Sequence, residues 1–191
     1  SLFNISALDN LIIRSTNQWW NSSWLWKQSV NVSNVAGDLS QFQVQLSLTG
    51  SIFNFSKANA NLSDLRFTFY NSTTGIETKI PYFLKGDTQN YSNGATTAVI
   101  WVKVPFLANN ANSTLFVYYG NTAALSESNG TAVFEFFDDF SSGLSKWNYT
   151  SDSIAIINDT LQIANGTTTG DYGFRVISSN KTYTGFGNGT I

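Results

Sequence analysis

The sequence of 191 residues contains no cysteine, no methionine and no histidine. Without cysteine there are no disulfides, so the fold depends on its hydrophobic core, which a chain of this length is large enough to form. Without histidine and cysteine, the common nucleophile–base pairs of hydrolases are excluded. Glycoside hydrolysis would need two carboxylates at a defined separation, and none of the three glutamates, Glu77, Glu127 and Glu135, belongs to a paired motif. We therefore expect a protein that is not an enzyme.

Charge is also scarce, with ten basic and twelve acidic residues, a net charge of -2 and a pI near 4.9. No basic stripe is present, so nucleic acid is excluded as a partner. No run approaches the roughly 20 apolar residues of a membrane span. The expected partners are other subunits of a surface assembly, by self-association or otherwise, or host glycans.

What the sequence has in abundance is Asn-x-Ser/Thr triplets, the acceptor pattern for N-glycosylation. There are fourteen, and none has proline in the middle. Random placement of 22 asparagines and 44 serines and threonines predicts 22 × 44/191, or about five, so the excess favours real acceptors. Glycans need an exposed position on a secreted chain, which predicts an extracellular protein. The candidate sites are Asn4, Asn21, Asn31, Asn54, Asn61, Asn71, Asn90, Asn112, Asn129, Asn148, Asn158, Asn165, Asn180 and Asn188.

The same composition favours a hot and acidic habitat. With no histidine and twelve carboxylates, few groups titrate as the medium becomes acidic. Of four Asn-Gly pairs, which are chemically fragile when hot, those at Asn129, Asn165 and Asn188 lie inside triplets, where a sugar would protect the amide, and the one at Asn93 does not. We expect the surface of an archaeal cell or virion.

Apolar residues alternate with polar ones along most of the chain, which is typical of half-buried strands. The clearest predicted strands are 42–48, 65–69, 98–104 and 115–119, and Pro105 is expected to end the third of them. Shorter strands are predicted at 30–33, 79–83, 133–137, 154–157, 161–163 and 174–177, and short helices at 56–64 and 121–128. The prediction is an all-β protein, an antiparallel, jelly-roll-like β-sandwich.

Three segments are predicted along the chain. Residues 1–18 form an N-terminal extension, either an edge strand or a strand donated to a neighbouring subunit. Residues 19–137 form the β-sandwich domain. Residues 138–191 are too few for an independent sandwich, so they either add strands to the first domain or are the start of a truncated second one, which is the favoured interpretation.

Several motifs resemble the family catalogued as domain of unknown function 2341, in order and spacing, over residues 19–137. They are Trp24-Leu25-Trp26, Phe42-Gln43-Val44-Gln45-Leu46, Ser63-Asp64-Leu65-Arg66-Phe67, Trp101-Val102-Lys103-Val104-Pro105 and Phe116-Val117-Tyr118-Tyr119-Gly120-Asn121. One departure is Lys27, where that family usually shows arginine, so a bidentate ion pair is not expected there. The resemblance implies a β-sandwich in an extracellular, often adhesive, multidomain protein, and no known chemistry.

The following stretch, from Phe137-Asp138-Asp139-Phe140 to Trp147, resembles the start of a concanavalin A-like lectin and glucanase jelly roll. Asp138 and Asp139 could supply oxygen ligands to a structural calcium ion, with Asp152, Asp159 or Asp171 downstream. Adjacent strand residues point to opposite faces, so turn or strand-end capping is the favoured interpretation of this pair. No other cofactor is predicted.

The tryptophans near the N-terminus are candidates for an interface or for carbohydrate contact. Trp24 and Trp26 are predicted to share one strand face and to pack in the core. Trp19 and Trp20 cannot both point inward from one strand, so one of them is expected to serve an interface or to stack on a sugar ring.

Further expectations concern polar side chains. Asp64 and Arg66 are expected to contact each other and fix a loop, although a functional pair is the alternative. One of Tyr118 and Tyr119 should face outward, and Lys103 should be solvated.

Together these features predict a non-enzymatic, heavily N-glycosylated structural or adhesion protein of a surface assembly. The assembly is a virus tail or spike, or a cell-surface filament of a thermoacidophilic archaeal host. The alternative is a carbohydrate-binding module that mediates attachment to host glycans.

Overall fold

The computed structural model describes residues 5–6, 19–86, 91, 97–149, 154–158, 160–163 and 177–179. The chain divides into two compact units, residues 1–135 and residues 136–191. No described helix is both long enough and apolar enough to cross a membrane.

The first unit is a two-sheet antiparallel sandwich, which confirms the predicted fold class. One sheet has five strands in the order β1-β2-β8-β4-β5, and the other has three in the order β3-β7-β6. The described strands are β1 (Ile5–Ser6), β2 (Trp26–Asn34), β3 (Leu39–Thr49), β4 (Arg66–Asn71), β5 (Ile76–Ile80), β6 (Tyr82–Lys85), β7 (Thr97–Leu107) and β8 (Ala111–Tyr119). β1 lies at the sheet edge, with Ile5 opposite Val32 of β2.

The core lies between the two sheets and follows the two-residue alternation of the strands. In the smaller sheet, Val44 pairs with Val102 and Leu46 with Ile100, and all four side chains are buried. The larger sheet contributes the inward residues of β2, β4 and β8 to the same cluster. Burial of apolar area at roughly 25 cal/mol per Å² makes this cluster the main stabilising element of the first unit.

The two prolines act differently from the prediction. Pro81 divides the predicted strand 79–83, since β5 ends at Ile80 in the larger sheet and β6 begins at Tyr82 in the smaller one. Pro105 does not end β7, which continues to Leu107. On one side of β7, the strand β6 pairs only with residues 99–102, so Pro105 lies beyond that ladder. On the other side, the ladder with β3 skips Pro105 and Gln41, and Gln41 has a left-handed φ of 51°. The missing N–H therefore interrupts pairing locally without ending the strand.

The predicted strand 133–137 is wrong. A short helix, α1 (Gly130–Val133), ends at the first of these residues, and no strand follows it over 134–137. The Asn129 side chain caps the helix by accepting a hydrogen bond from Ala132 N. The helices predicted at 56–64 and 121–128 are also absent from these described segments. A single 3₁₀ turn at Phe55–Lys57 replaces the first, since the side chain of Asn61 forms a competing turn with Ser63 N.

The second unit contains two described two-stranded sheets. β9 (Trp147–Tyr149) pairs with β12 (Ile177–Ser179), and β10 (Ile154–Ile157) pairs with β11 (Thr160–Ile163), both antiparallel. The strands predicted at 154–157 and 161–163 are thus confirmed. The strand predicted at 174–177 lies mostly outside the described residues.

Candidate functional site

The outer face of the five-stranded sheet is the face that points away from the core. It carries the side chains that alternate with the core positions: Lys27, Ser29, Asn31 and Ser33 of β2, Asn112, Thr114, Phe116 and Tyr118 of β8, Arg66, Thr68 and Tyr70 of β4, and Glu77 and Lys79 of β5. One face of an antiparallel sheet commonly meets water. Here Tyr118 and Thr68 are both 0 % exposed, so part of this face is covered.

The cover is residues 19–24, called here the tryptophan segment. The rings of Trp19 and Trp20 both lie against Tyr118, with centroids 5.5 and 5.7 Å away. Trp19 Nε1 donates to Trp24 O at 2.8 Å, and the backbone N–H of Trp20 donates to the Tyr118 hydroxyl at 3.1 Å. Both tryptophans are half-buried. The expectation that their rings diverge is wrong, because the segment is not a strand and both rings reach the same tyrosine.

Trp24 and Trp26 do not share a face, contrary to the prediction. Trp24 precedes β2 and belongs to the cover, where its ring lies against Trp20 and the Arg66 guanidinium. Trp26 opens β2, packs against the core cluster and stacks on Tyr119. The irregular backbone between them breaks the alternation that the prediction assumed.

Tyr118 and Tyr119 do point to opposite faces, Tyr119 toward the core and Tyr118 onto the outer face. Tyr118 is nonetheless sealed from solvent by the tryptophan segment. An outward direction in the strand therefore does not place this side chain in water.

A polar network lies beneath the tryptophan segment. Lys27 Nζ contacts Glu77 Oε1 as an ion pair, and Lys27 and Glu77 side chains are only 14 % and 9 % exposed. Glu77 Oε2 accepts hydrogen bonds from Tyr118 Oη at 2.7 Å and from Thr68 Oγ1 at 2.9 Å. Lys27 Nζ also lies 3.7 Å from the centre of the Phe116 ring, which adds a cation–π contact.

Burial raises the pKa of Tyr118 strongly, although the backbone hydrogen bond from Trp20 lowers it in part. The Glu77 carboxylate raises this pKa further, since a negative acceptor favours the protonated phenol. Tyr118 is therefore a fixed hydrogen-bond donor to Glu77 at all ordinary pH values. The network holds one lysine and one glutamate in a nearly dry setting.

Asp64 and Arg66 each fix a loop, but by separate contacts rather than with each other. Asp64 accepts hydrogen bonds from the backbone N–H groups of Asn59, Gly120 and Asn121 at 2.9, 2.6 and 3.2 Å. A Cβ at Gly120, where φ is +87°, would lie 2.4 Å from Trp26 Cδ1, so only glycine fits this turn.

Arg66 instead faces Glu127, with Nε 3.0 Å from Oε1. Its Nη atoms donate to the carbonyl oxygens of Ser63, Leu65 and Leu125. Burial alone would raise the pKa of Glu127, but the hydrogen bond from Lys79 and the charge of Arg66 outweigh it and lower that pKa. Sequence adjacency suggested Asp64 as the partner, but side chains two apart on an extended chain need not meet.

Lys103 is not simply solvated as expected. Its Nζ lies 3.3 Å from Glu135 Oε1, and its side chain is 18 % exposed. All three glutamates of the sequence thus face cations: Glu77 faces Lys27, Glu127 faces Arg66 and Lys79, and Glu135 faces Lys103.

Nine of the fourteen triplet asparagines lie among the described residues. Seven are exposed, and Asn21 and Asn31 are half-buried. The exposed ones are Asn54, Asn61, Asn71, Asn112, Asn129, Asn148 and Asn158. The remaining five, Asn4, Asn90, Asn165, Asn180 and Asn188, lie outside the described residues.

Five of these triplets form Asx-type turns, in which the asparagine Oδ1 accepts a hydrogen bond from the third residue of the same triplet. The donor is a backbone N–H for Asn21, Asn54, Asn61 and Asn71, and the Thr131 hydroxyl for Asn129.

Among the described asparagines outside the triplets, two donate from the amide nitrogen to protein groups, whereas Asn109, Asn110 and Asn121 do not. Asn34 Nδ2 donates to the carbonyl oxygens of Gly37, Leu107 and Ala108, and Asn59 Nδ2 donates to Ser63 and Asn121. Neither Asn34 nor Asn59 starts a triplet. In the described part of the chain, none of the nine triplet asparagines donates from Nδ2 to a protein group. Nδ2 is the atom to which an N-linked sugar is attached.

Two triplets lie side by side on β2 and β8. The register places Asn31 opposite Thr114 and Ser33 opposite Asn112. Thr114 Oγ1 donates to Asn31 Oδ1 at 3.2 Å, and Ser33 Oγ donates to Asn112 Oδ1 at 2.6 Å. Each acceptor asparagine is therefore bonded to the hydroxyl residue of the other triplet.

In the second unit, Asp138 and Asp139 are occupied in turn contacts. Asp138 accepts from Phe140 N and from Trp147 Nε1, the latter at 2.6 Å. Asp139 accepts from Ser141 N and Oγ, and these hydrogen bonds lower its pKa despite slight burial.

No group of three or more potential metal-ligating side chains occurs among the residues that the structure describes. The other predicted ligands, Asp152, Asp159 and Asp171, lie outside those residues. Calcium binding stays a prediction.

Comparison with known proteins finds one similarity. The profile of a family described as Domain of unknown function (DUF2341) matches residues 61–150. The chain is therefore similar to that family from the loop before β4 to the end of β9. The motifs at 24–26 and 42–46 lie outside the matched range. No curated protein and no solved structure matches the chain.

Proposed function

We propose that this chain is a non-enzymatic, N-glycosylated structural or adhesion protein of an extracellular surface assembly. The observation that carries the proposal is the excess of triplets, together with the amide nitrogens of the nine described triplet asparagines. The described triplet asparagines keep Nδ2 out of protein hydrogen bonds, whereas Asn34 and Asn59 use theirs internally. Seven of these nine asparagines are also exposed. A folded protein can carry an N-linked glycan only where the asparagine is exposed and its Nδ2 is not engaged with the protein.

The low charge supports the same function. A protein in which only 12 % of all residues are charged needs other groups on its surface to hold water and to prevent association. Glycans on turns and strand ends would supply them, and would leave only the sugar-free parts of the surface for partners. The absence of histidine and the Asn-Gly pairs inside triplets support a hot, acidic setting, as on a thermoacidophilic archaeal cell or its virus.

Assembly is proposed on the basis of the sheet edge. β1 pairs antiparallel with β2 at the edge of the larger sheet, with Ile5 opposite Val32 and Ser6 opposite Asn31. An edge strand is a template for pairing, so it is suited to exchange with the equivalent edge of a neighbouring subunit, as in strand addition. We propose such self-association for a filament, a surface layer or a virion tail or spike.

The test is the intact mass of the protein from its native source, followed by peptide mapping. We expect about ten glycans, attached at exposed triplets. Asn34 and Asn59 serve as internal negative controls in the same maps. Two glycans or fewer would contradict the proposal.

Native-state sizing of the full chain and of a variant without residues 1–14 tests the proposed self-association. The full chain should assemble, and the variant should not.

A second candidate function is binding of host glycans through Trp19 and Trp20. Both residues are half-buried, and tryptophan rings that reach solvent can stack on a sugar. Binding to a glycan array that is lost in Trp19→Ala or Trp20→Ala, with folding intact, would favour this function over a purely structural one. An array without binding, together with intact assembly, would reject it.

A further inference from the structure

The Lys27–Glu77 pair spans most of the five-stranded sheet. Lys27 belongs to β2 and Glu77 to β5, and β8 and β4 lie between these strands. The two residues are 50 positions apart in the sequence. A bond between them would therefore tie four neighbouring strands together.

This pair is also the most enclosed ion pair of the described residues. Its two side chains are 14 % and 9 % exposed, whereas each other described pair has at least one partner more than a third exposed. Aromatic rings surround the lysine: the centres of Phe116, Tyr118 and Trp19 lie 3.7, 5.3 and 5.9 Å from Nζ. Ion pairs in such a setting lose hydration that their attraction repays only in part.

The carboxyl group of Glu77 is held by contacts to both of its oxygens. Oε2 accepts hydrogen bonds from the Tyr118 and Thr68 hydroxyls at 2.7 and 2.9 Å, and Oε1 faces Lys27 Nζ. Two fixed donors on one oxygen stabilise the negative charge that develops there when a nucleophile adds to the carboxyl carbon. Burial keeps the Tyr118 hydroxyl protonated, because it raises the pKa of that group.

We propose that Lys27 and Glu77 condense to an intramolecular amide. A proton passes from the Lys27 ammonium to Glu77 Oε1, and the neutral amine adds to Cδ. A second proton then passes from nitrogen to Oε1, the Cδ–Oε1 bond breaks and one water molecule leaves. Ammonium plus carboxylate thus give amide plus water, and no oxidant, reductant or activating group is needed.

Two physical effects favour this reaction. The fold holds the reactants in contact, which removes most of the entropic barrier of a bimolecular condensation. The product replaces two poorly hydrated charges with one neutral amide, and the water released leaves a site lined by aromatic rings. For a chain without cysteine, the amide would supply the covalent restraint that other extracellular domains obtain from disulfides.

The experiment is the intact mass of the full chain produced in a host without N-glycosylation, so that glycans do not obscure the result. We expect a mass lower than that of the sequence by one water molecule. After digestion, fragmentation should identify one branched peptide that joins Lys27 to Glu77. A wild-type mass equal to the full sequence, with separate peptides for the two residues, would overturn the proposal whatever the variants do.

Three variants locate the bond. Lys27→Arg and Glu77→Ala should each restore the missing water, since each lacks one reactant. Lys79→Arg is the matched control, because Lys79 and Glu127 also form a lysine–glutamate ion pair, but their side chains are 46 % and 44 % exposed. It should retain the deficit of one water. A deficit that survives Lys27→Arg would also overturn the assignment.

Discussion

The outer faces of the two sheets of the first unit are each covered by a flanking chain segment, and each carries a lysine–glutamate pair. On the larger sheet, the tryptophan segment lies over Tyr118 and encloses Lys27 and Glu77. On the smaller sheet, residues 133–135 follow the face of β7 and β6. There, Phe134 packs on Trp101 and Phe83, and Val133 O accepts from Gln43 Nε2.

The difference lies in how completely each cover excludes water. Glu77 is 9 % exposed, whereas Glu135, which faces Lys103, is 67 % exposed. Several aromatic rings lie around the ammonium of the first pair, whereas the carboxylate of the second pair lies largely in solvent. The same two residue types, lysine and glutamate, thus form an enclosed network on the larger sheet and a solvent-exposed ion pair on the smaller one. We expect the two faces to respond differently to the same changes.

The largest expected difference is between Glu77→Ala and Glu135→Ala. Removing Glu77 takes away the carboxylate that faces the Lys27 ammonium and accepts from the Tyr118 and Thr68 hydroxyls, so stability should fall by about 3–5 kcal/mol. Removing Glu135 breaks an exposed pair and should change stability by no more than about 1 kcal/mol. Denaturant unfolding of both variants measures the contrast. Equal losses would show that enclosure does not distinguish the pairs.

Removing the covers should give a smaller difference. Trp20→Ala uncovers Tyr118 and removes the ring contacts to Tyr118 and Trp24, and we expect a loss of about 2–3 kcal/mol. Phe134→Ala uncovers Trp101 and Phe83 but breaks no described polar network, and we expect about 1–2 kcal/mol. Thermal and denaturant unfolding check both values, and Leu125→Ala, which alters a strongly exposed side chain, is the control.

The smallest expected effect is on pH dependence. The folded-state pKa of Tyr118 is raised above its unfolded value of 10.0, so its contribution to stability is complete below pH 10 and is lost as the pH rises further. Tyr118→Phe should therefore reduce the loss of stability between about pH 9 and about pH 11. Some loss should remain, because burial also raises the pKa of Tyr82 and Tyr119. A pH profile identical to that of the wild type would contradict the burial of the Tyr118 hydroxyl.

Much of the fold could be predicted because strand alternation is local. The runs around Val44, Leu65, Ile100 and Val117 predicted four of the strands and their inward residues. The prediction failed at two places where apolar residues do not form a single strand. The apolar residues on both sides of Glu135 predicted a strand at 133–137, yet a capped helical turn begins at Gly130 and ends at Val133. Pro81 was within a predicted strand but marks a change of sheet.

The candidate site could be predicted less well. The triplets were visible as a pattern, but the sequence does not distinguish Asn31, half-buried on β2, from Asn71, exposed in a turn. The Lys27–Glu77 network was not predicted at all, since its members belong to strands that are distant in the chain. The only signal was the departure at Lys27, which excluded a forked ion pair but gave no partner.

The sequence by itself determined the two-residue period, the Asx turns of several triplets and the scarcity of charge, because each depends on neighbours within a few positions. Only the tertiary structure decided that Tyr118, pointing away from the core, is as buried as the core itself. Alternation specifies which side chains share a face, but whether that face meets water depends on segments elsewhere in the chain. On the larger sheet, the tryptophan segment excludes the water, and it does so by contacts that span nearly a hundred positions.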